Sequence, residues 1–409
     1  MPKLAIHGGP AAAQGFTTPQ WPVVTTEDKI AVLEALEGRN WCLGPKLHEF
    51  MPAMAKYHDA KYCIATSNGT TALQLALRAA GVQAGDEVIA PAVTFVATVS
   101  AIAEIGAIPI FGDIEPETAQ LSVASVESLI TPRTTAVLGV HYGGYPFDLD
   151  AMRELCKRRG LLLIEDCAHA QGTEWRGRKV GALGDASGMS LQASKALAVG
   201  EGGLVFTDSQ EIYERGWLIH NIGRGSIQAG LGHHVLSSNY RLHEIQAALG
   251  LSALKRHPRE TALRHRNGEW LAEQLAPLGG VEPLRRDPRI TQRGYYFFIL
   301  RYDAEKMEGV PRDRFMTALH AEGVPCGSGY GIPQYKNAAF EPDRLKPVLP
   351  HVKKLPAYHK LSLPVSERFC GEQQITLSHP VLMAARSDLK KLVAAFAKVK
   401  GNLAELSEK

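Results

Sequence analysis

Lys195 and its surroundings are the part of this sequence best suited to covalent chemistry. The residue follows a small polar stretch, Ser190-Leu-Gln-Ala-Ser194, and precedes the turn Gly200-Glu-Gly-Gly203 and the apolar run Leu204–Thr207. A lysine held in a pocket loses hydration, which lowers the pKa of its amine and makes it a better nucleophile. The alternative is an exposed surface lysine, the usual situation for this residue type.

A second candidate lies where a buried apolar run ends in two carboxylates and a histidine, Leu161-Leu-Leu-Ile-Glu-Asp-Cys-Ala-His169. An acidic residue at the carboxyl end of a strand occupies the position where α/β sheets bind ligands. Beside a pyridine nitrogen, Asp166 would favour the protonated ring, which is the electron sink that amine chemistry on pyridoxal phosphate requires. The alternatives are a helix N-cap for Asp166 and a core position for His169.

The third candidate is the polar turn Thr66-Ser-Asn-Gly-Thr-Thr-Ala-Leu73, which leads into a helix predicted to begin near Ala72 and to end before Gly81. N–H groups at a helix start are unpaired and attract a phosphate. Gly69 permits close approach, and the hydroxyl group of Thr70 can donate a hydrogen bond. The alternative is a simple helix N-cap. Together the three candidates would supply a phosphate anchor, a partner for a ring nitrogen and a nucleophile.

The sequence pattern of residues 26–265 predicts the fold that positions these candidate residues. Helical patterns, such as Leu149–Arg159, alternate with short apolar runs that predict strands at 87–90, 108–111, 136–140 and 161–164. Such alternation predicts an α/β fold with a mainly parallel sheet covered on both faces. Ligands then bind beyond the carboxyl ends of the strands.

After residue 265 the pattern changes. A strand at 295–301, a helix at 312–323 and a terminal helix at 388–400 are separated by prolines and irregular segments. We predict a large domain at 26–265 and a smaller α+β C-terminal domain at 266–409, with the N-terminal segment 1–25 packed nearby.

The composition excludes several classes of protein. Lys plus Arg (45) nearly balances Asp plus Glu (42), so no charge excess indicates binding to nucleic acid or to a membrane. The 6 cysteines form no CxxC pair, which argues against a disulfide framework or a zinc site and suits a reducing cytoplasm. No signal peptide and no apolar run of membrane-spanning length is found, so we expect a cytoplasmic protein.

The chain resembles the DegT/DnrJ/StrS family of sugar aminotransferases and aminohydroxybenzoate-synthase-like enzymes over nearly its whole length. The motifs that carry the resemblance occur in the family's order: Trp41-Cys-Leu-Gly-Pro, Ser67-Asn-Gly-Thr-Thr-Ala-Leu, Ala90-Pro-Ala-Val-Thr-Phe, Asp113-Ile-Glu-Pro, Val140-His-Tyr-Gly-Gly, Glu165-Asp-Cys-Ala-His-Ala, Gln192-Ala-Ser-Lys, Gly200-Glu-Gly-Gly and Ser238-Asn-Tyr-Arg-Leu-His-Glu. The resemblance implies the aspartate-aminotransferase fold (fold type I) and pyridoxal 5′-phosphate as cofactor. Lys195 matches the lysine that carries this cofactor as a Schiff base and moves the proton, Asp166 the partner of the ring nitrogen, and His169 the residue beside the ring hydroxyl.

The resemblance also implies residues around the rest of the cofactor. Gly69, Thr70 and Ser190 match the phosphate cradle, and Phe95 matches an aromatic residue that stacks on the ring. Asn239 matches a residue that binds the phosphate in the neighbouring subunit, which implies a homodimer with shared active sites.

Within the family, the segments Val365–Arg368 and Ile375–Leu382, with Tyr295–Tyr296, are similar to the branch that acts on keto-cyclitols and aminohydroxybenzoate precursors. We therefore expect transfer of an amino group from L-glutamate or L-glutamine to a keto-sugar or keto-cyclitol. The segment 327–335 either borders the substrate pocket or is an ordinary surface loop.

Other functions stay open at this point. Dehydratases related to this family have histidine in the place of Lys195, which counts against that activity. A broad-specificity amine transaminase and a non-catalytic regulatory protein that binds pyridoxal phosphate both remain alternatives. A nucleotide-binding Rossmann protein would need a GxGxxG loop after its first strand, which this sequence lacks.

Overall fold

The computed structural model describes residues 2–225 and 232–407. Its strands are, in chain order, β1 (Tyr62–Thr66), β2 (Glu87–Pro91), β3 (Ile108–Gly112), β4 (Thr134–Val140), β5 (Leu162–Asp166), β6 (Glu174–Trp175), β7 (Arg178–Lys179), β8 (Ala186–Ser190), β9 (Gly203–Thr207), β10 (Val281–Pro283), β11 (Ile290–Gln292), β12 (Phe297–Tyr302), β13 (Cys326–Gly327) and β14 (Gln374–Ser378). Its α-helices are α1 (Thr26–Glu37), α2 (Pro45–Tyr57), α3 (Gly69–Ala80), α4 (Val96–Glu104), α5 (Val123–Leu129), α6 (Leu149–Arg159), α7 (Gln210–His220), α8 (Glu244–Leu275), α9 (Arg312–Ala321), α10 (Pro342–Leu345), α11 (Pro364–Arg368), α12 (Arg386–Lys400) and α13 (Ala404–Ser407).

A central sheet of seven strands in the order β1-β9-β8-β5-β4-β2-β3 organises the first half of the chain. The pairs from β3 to β8 are parallel, and β9 runs antiparallel to both of its neighbours. Nearly every residue of β2, β4 and β5 is buried, as expected for strands with both faces covered. The prediction of an α/β fold with a mainly parallel sheet is confirmed.

Two hydrophobic clusters cover the faces of this sheet. One contains apolar side chains of α3 and α4, including Leu73, Leu77 and Ile102. The other contains side chains of α2 and α6, including Phe50 and Met152. Each helix therefore buries one apolar stripe against the strands, and their opposite faces remain for solvent or other elements.

A second sheet, in the antiparallel order β10-β12-β14-β13, lies in the second half of the chain. Helices α9 and α12 pack on it through side chains that include Phe315 and Phe396. Leu4 and Ala13 of the N-terminal segment are buried in the same cluster. A small third sheet has the order β11-β6-β7, and so joins residues from both halves of the chain.

Several predicted elements coincide with the observed ones, and others differ at their ends. Helix α6 spans the predicted residues, and α3 ends at Ala80, before Gly81, which adopts φ 111° as a left-handed C-cap. Helix α3 begins at Gly69, earlier than predicted, because Asn68 caps it by accepting a hydrogen bond from the N–H of Thr71.

The domain boundary near residue 265 remains a prediction. Helix α8 runs from Glu244 to Leu275 and passes through that position. In the described residues no helix combines the length and the apolar character needed to span a bilayer.

Candidate active site

A cavity of about 790 Å³ opens at the carboxyl ends of the central strands, where such a sheet is expected to bind ligands. Five strands deliver residues to its wall at or just beyond their last residue. These residues are Asn68 after β1, Thr94 and Phe95 after β2, Val140 in β4, Asp166 in β5 and Ser190 in β8. Residues from the second half of the chain, Tyr296 and Tyr330, form another part of the wall.

Lys195 lies in this cavity and is buried, with only 8% of its surface exposed. Its N–H donates to the carbonyl oxygen of Gln192 (2.8 Å), which closes the turn after β8. Its Nζ lies 4.1 Å from the centroid of the Tyr296 ring. Burial lowers the pKa of the amine to about 8, although the nearby Asp166 carboxylate acts in the opposite direction. The surface-lysine alternative is therefore wrong, and a useful fraction of the amine is neutral near physiological pH.

Asp166 is the last residue of β5 and is 3% exposed. Its Oδ2 accepts a hydrogen bond from the Thr98 hydroxyl (2.7 Å) and its Oδ1 accepts one from the N–H of Ala168 (3.0 Å). Burial raises its pKa, while these hydrogen bonds and the charge of Lys195 oppose the rise. A turn rather than a helix follows, so the N-cap alternative for Asp166 is wrong. A cationic group of a ligand would stabilise the ionised carboxylate.

His169 is buried and makes two hydrogen bonds. Its Nδ1 accepts from the N–H of Gly143 (3.3 Å), and its Nε2 lies 3.0 Å from the hydroxyl oxygen of Tyr330. Burial, aided by the charge of Lys195, holds the pKa of the imidazole well below its usual value. The ring is therefore neutral, and because Nδ1 is an acceptor, the proton resides on Nε2. Both ring nitrogens of His169 have hydrogen-bond partners, as in a core histidine, but His169 also lines the cavity.

The start of α3 faces Ser190 across one end of the cavity. A Cβ atom added at Gly69 would lie 2.6 Å from the Cβ of Ser190, so a side chain has no room there. Asn68 caps the N–H of Thr71 (2.9 Å), and the N–H groups of Gly69 and Thr70 belong to the first turn, which has no intrahelical acceptors. Together with the hydroxyl groups of Thr70 and Ser190, they suit a phosphate group.

Phe95 provides an apolar surface to the same cavity. Its side chain is 51% exposed although it lines a recess of the protein, and its ring centroid lies 5.6 Å from that of Tyr330. An aromatic ring in this situation gains from stacking against a flat ligand. A phosphate pocket, an aromatic face, a buried carboxylate and a lysine of lowered pKa thus fit pyridoxal phosphate.

Asn239 is the one predicted site residue that the single chain does not bring to the cavity. It is exposed, forms an isolated bridge with Asn221, and accepts a hydrogen bond from the N–H of Arg241 (3.1 Å) through its Oδ1. Its predicted role belongs to a neighbouring subunit, so its position outside the cavity leaves that prediction untested.

The first of the two adjacent carboxylates, Glu165, has a structural role. It is fully buried and accepts hydrogen bonds from the N–H groups of Gly181, Leu183 and Gly184, and from Nε2 of His141 (2.9 Å). These donors occupy both oxygens, so Glu165 holds the loop between β7 and β8 beneath the site.

The sequence reasoning missed Thr98 and Trp21. Thr98 binds Asp166 from α4, and the indole Nε1–H of Trp21 donates to the carbonyl oxygen of Lys195 (3.0 Å). No local pattern signals contacts between residues so distant in sequence. Of the two alternatives for segment 327–335, the border of the pocket is the correct one, because its Tyr330 lines the cavity.

The fold and this cavity define the class of the protein, an aminotransferase of fold type I. The chain belongs to the DegT/DnrJ/EryC1/StrS aminotransferase family, whose model matches residues 22–381. Pyridoxal phosphate is the cofactor that membership of this family implies.

Relatives and solved structures agree with this assignment. The chain is 37% identical to L-glutamine:2-deoxy-scyllo-inosose aminotransferase of Streptoalloteichus tenebrarius, with 98% of this chain and 99% of that protein covered. It is 34% identical to L-glutamine:scyllo-inosose aminotransferase of Streptomyces griseus, with 99% of each covered. The structure of DesI in the presence of its TDP-sugar product superposes with a TM-score of 0.82 at 31% identity, covering 99% of this chain and 98% of that chain.

Proposed function

We propose that this enzyme binds pyridoxal phosphate through Lys195 and transfers the amino group of L-glutamine to a keto-cyclitol. The observation that carries the proposal is the buried pair of Lys195, with its lowered pKa, and Asp166 in one cavity at the carboxyl edge of the sheet. Two relatives that are similar over almost the whole chain are named for this donor and for cyclitol ketones.

The residues of the chain have distinct tasks in this reaction. The bound cofactor would supply an electron sink for the carbon that carries the amino group. Lys195 Nζ would hold the cofactor covalently, and once freed, its amine would move a proton between the carbon that carries the amino group and the cofactor. The Asp166 carboxylate would keep the ring nitrogen protonated, and Thr98 orients this carboxylate through the 2.7 Å hydrogen bond.

Binding and orientation of the cofactor fall to other residues. Gly69, Thr70 and Ser190 would hold the phosphate, and Phe95 would cover one face of the ring. His169 would lie beside the ring hydroxyl group as a neutral imidazole, because burial prevents its protonation. Held in this way, the cofactor would present its reactive group to Lys195.

The charge of the cavity supports an acceptor without phosphate groups. Of the described residues that line the cavity, Lys195 alone is a lysine or an arginine, while Glu104, Asp166 and Glu201 are acidic. A sugar nucleotide carries a diphosphate that needs cationic partners. An uncharged polyhydroxylated ketone needs none, so the part of the lining that one chain supplies favours a keto-cyclitol over a nucleotide-linked keto-sugar.

A second copy of the chain would complete the site. We assign Asn239 to the phosphate of the partner's cofactor, which requires a homodimer, and its exposed position leaves it accessible to such a partner. Mixing Lys195→Ala and Asn239→Ala chains tests this assignment. Mixed dimers hold one site with both residues intact, so they should recover activity that neither variant has alone. Failure of the mixture to recover activity would contradict shared sites.

Half-reaction spectroscopy tests the function itself. L-glutamine should convert the bound cofactor to its amine form, and scyllo-inosose or 2-deoxy-scyllo-inosose should restore the aldehyde-derived absorbance. Borohydride reduction followed by peptide mapping should label the fragment that contains Lys195. A label elsewhere would disprove the role of Lys195, and absorbance that persists through a panel of amino donors would instead indicate a non-catalytic cofactor-binding protein.

A further inference from the structure

Tyr330 enters the cavity from a tight turn in the second half of the chain. Gly329 and Gly331 flank it with φ 66° and φ 77°, a backbone conformation that favours glycine. A Cβ atom at Gly329 would lie 2.4 Å from the amide group of Gln374, so the turn presses against β14. Other residues would be strained in this conformation, so the two glycines allow the turn that directs the Tyr330 side chain into the cavity.

A glutamine anchors this turn to the central sheet. The N–H of Gln334 donates to the carbonyl oxygen of Ala92 (2.8 Å), and its Nε2 donates to that of Thr94 (2.5 Å). Both carbonyls lie in the short segment between the end of β2 at Pro91 and Phe95. Gln334 is 4% exposed, so these hydrogen bonds are shielded from water. The segment that carries Tyr330 is thus held in a fixed position relative to the cofactor pocket.

The ring of Tyr330 lies among other aromatic rings. The ring centroids of Phe95, Tyr142 and Phe297 lie 5.6 Å, 5.8 Å and 6.2 Å from that of Tyr330. Burial raises the pKa of Tyr330 far above its ordinary value, and the neighbouring tyrosines and Asp166 act in the same direction. The phenol therefore keeps its proton at any physiological pH.

The direction of one hydrogen bond leaves that proton available. His169 carries its proton on Nε2, because its Nδ1 accepts from the N–H of Gly143 (3.3 Å), and Nε2–H donates to the Tyr330 oxygen 3.0 Å away. Within the described part of the chain the Tyr330 oxygen has this one partner, so its own O–H can donate to a ligand in the cavity.

We propose that the Tyr330 hydroxyl donates a hydrogen bond to a hydroxyl oxygen of the acceptor and so determines which ketones the enzyme accepts. The inference rests on the proposed function and adds a residue that recognises the acceptor. In apolar surroundings, an acceptor without the matching hydroxyl group leaves the phenol without a partner and is disfavoured. His169 positions the phenol by occupying its lone pair.

The test compares wild type with Tyr330→Phe as holoenzymes. We expect roughly tenfold weaker binding of scyllo-inositol, a polyol that cannot react, measured by calorimetry. We also expect a roughly tenfold lower kcat/KM for scyllo-inosose, mainly through KM, with an unchanged rate for cyclohexanone, which has no hydroxyl group. Tyr213→Phe is the matched control, because Tyr213 lies on α7 and stacks on Tyr62 at 4.6 Å, outside the cavity lining.

Four outcomes would overturn the inference. Equal losses with scyllo-inosose and cyclohexanone would show that Tyr330 acts on the carbonyl group or on the chemical step. A changed absorption spectrum of the resting holoenzyme would show that it binds the cofactor instead. Undiminished binding of scyllo-inositol by Tyr330→Phe, or no binding by a wild-type enzyme that completes the L-glutamine half-reaction, would also refute it. Failure of the wild-type L-glutamine half-reaction would instead contradict the proposed function.

Discussion

The indole Nε1–H of Trp21 donates a 3.0 Å hydrogen bond to the carbonyl oxygen of Lys195. The preceding carbonyl, that of Ser194, accepts from Nε2–H of His379 at 2.9 Å. The rings of Trp21 and His379 are themselves in edge contact, with centroids 4.6 Å apart. Two residues near opposite ends of the chain thus hold the main chain that carries the reactive amine.

Replacing Trp21 with phenylalanine should impair catalysis beyond its effect on stability. The variant loses the hydrogen bond to the Lys195 carbonyl, which costs about 1 kcal/mol of unfolding free energy. Because the amine is then less well placed, we expect kcat to fall roughly tenfold. Chemical denaturation and single-turnover rates with L-glutamine measure the two effects separately.

Trp175→Phe is the control for this experiment. The indole Nε1–H of Trp175 donates to Oδ1 of Asp150 (3.0 Å), so its loss also removes a hydrogen bond but leaves Lys195 untouched. We expect the two variants to lose similar amounts of unfolding free energy. Only Trp21→Phe should show a slower single turnover. Equal single-turnover rates in the two variants would show that Trp21 contributes to stability but does not position Lys195.

Lys195→Met should stabilise the cofactor-free protein at neutral pH. Burial lowers the amine pKa from 10.5 to about 8, so the unfolded state binds more protons between these values. The wild-type unfolding free energy should therefore rise with pH across this window. At pH 7 the variant should be more stable by about 3 kcal/mol at most, and this difference should disappear as the pH approaches the unfolded-state pKa.

Denaturation curves of both proteins from pH 7 to 10 measure this difference. The matched substitution Lys390→Met changes an exposed lysine on α12. We expect it to show no comparable dependence on pH. A constant difference between Lys195→Met and wild type over the whole range would mean that the amine titrates as it does in the unfolded chain.

Asp166→Asn should lower the pKa of Lys195 further. The carboxylate is the charge that opposes the effect of burial on the amine, so its removal leaves burial alone. Trinitrophenylation of Lys195 in the cofactor-free protein can be measured by peptide mapping at a series of pH values. The midpoint of the resulting profile of rate against pH should shift to lower pH. Asp388→Asn, which breaks an exposed ion pair with Lys391, should leave the profile in place. An unchanged or raised midpoint in Asp166→Asn would contradict electrostatic coupling of the two groups.

Gly69→Ala should weaken cofactor binding. The new methyl group would lie 2.6 Å from Cβ of Ser190, so the start of α3 and β8 must separate where the phosphate is expected. We expect at least a tenfold higher Kd for pyridoxal phosphate, measured by titration of the cofactor-free protein, because hydrogen bonds to the phosphate lengthen. Gly371→Ala, where a Cβ atom meets nothing within 4 Å, should bind the cofactor as wild type does.

Local patterns predicted much of the fold and of the site. The apolar runs of β2 to β5 predict buried strands because both faces of a parallel sheet are covered. Asp166 and Lys195 stand out because each adjoins such a strand or a glycine-rich turn. Helix α3 begins before the position that the apolar spacing from Ala72 predicts, because Asn68 caps the N–H of Thr71 and so starts the helix at Gly69. Neither spacing nor composition indicates that α8 continues past residue 265.

The sequence by itself determined the order of strands and helices, the nature of the reactive groups and the family, since these follow from periodicity and from contiguous motifs. Only the tertiary structure decided the environment of those groups. The pKa of Lys195 near 8, the neutral state of His169 and the partners Trp21, Thr98 and Tyr330 arise from burial and from contacts between residues far apart in the chain. Desolvation depends on everything packed around a group, and no short stretch of sequence records it.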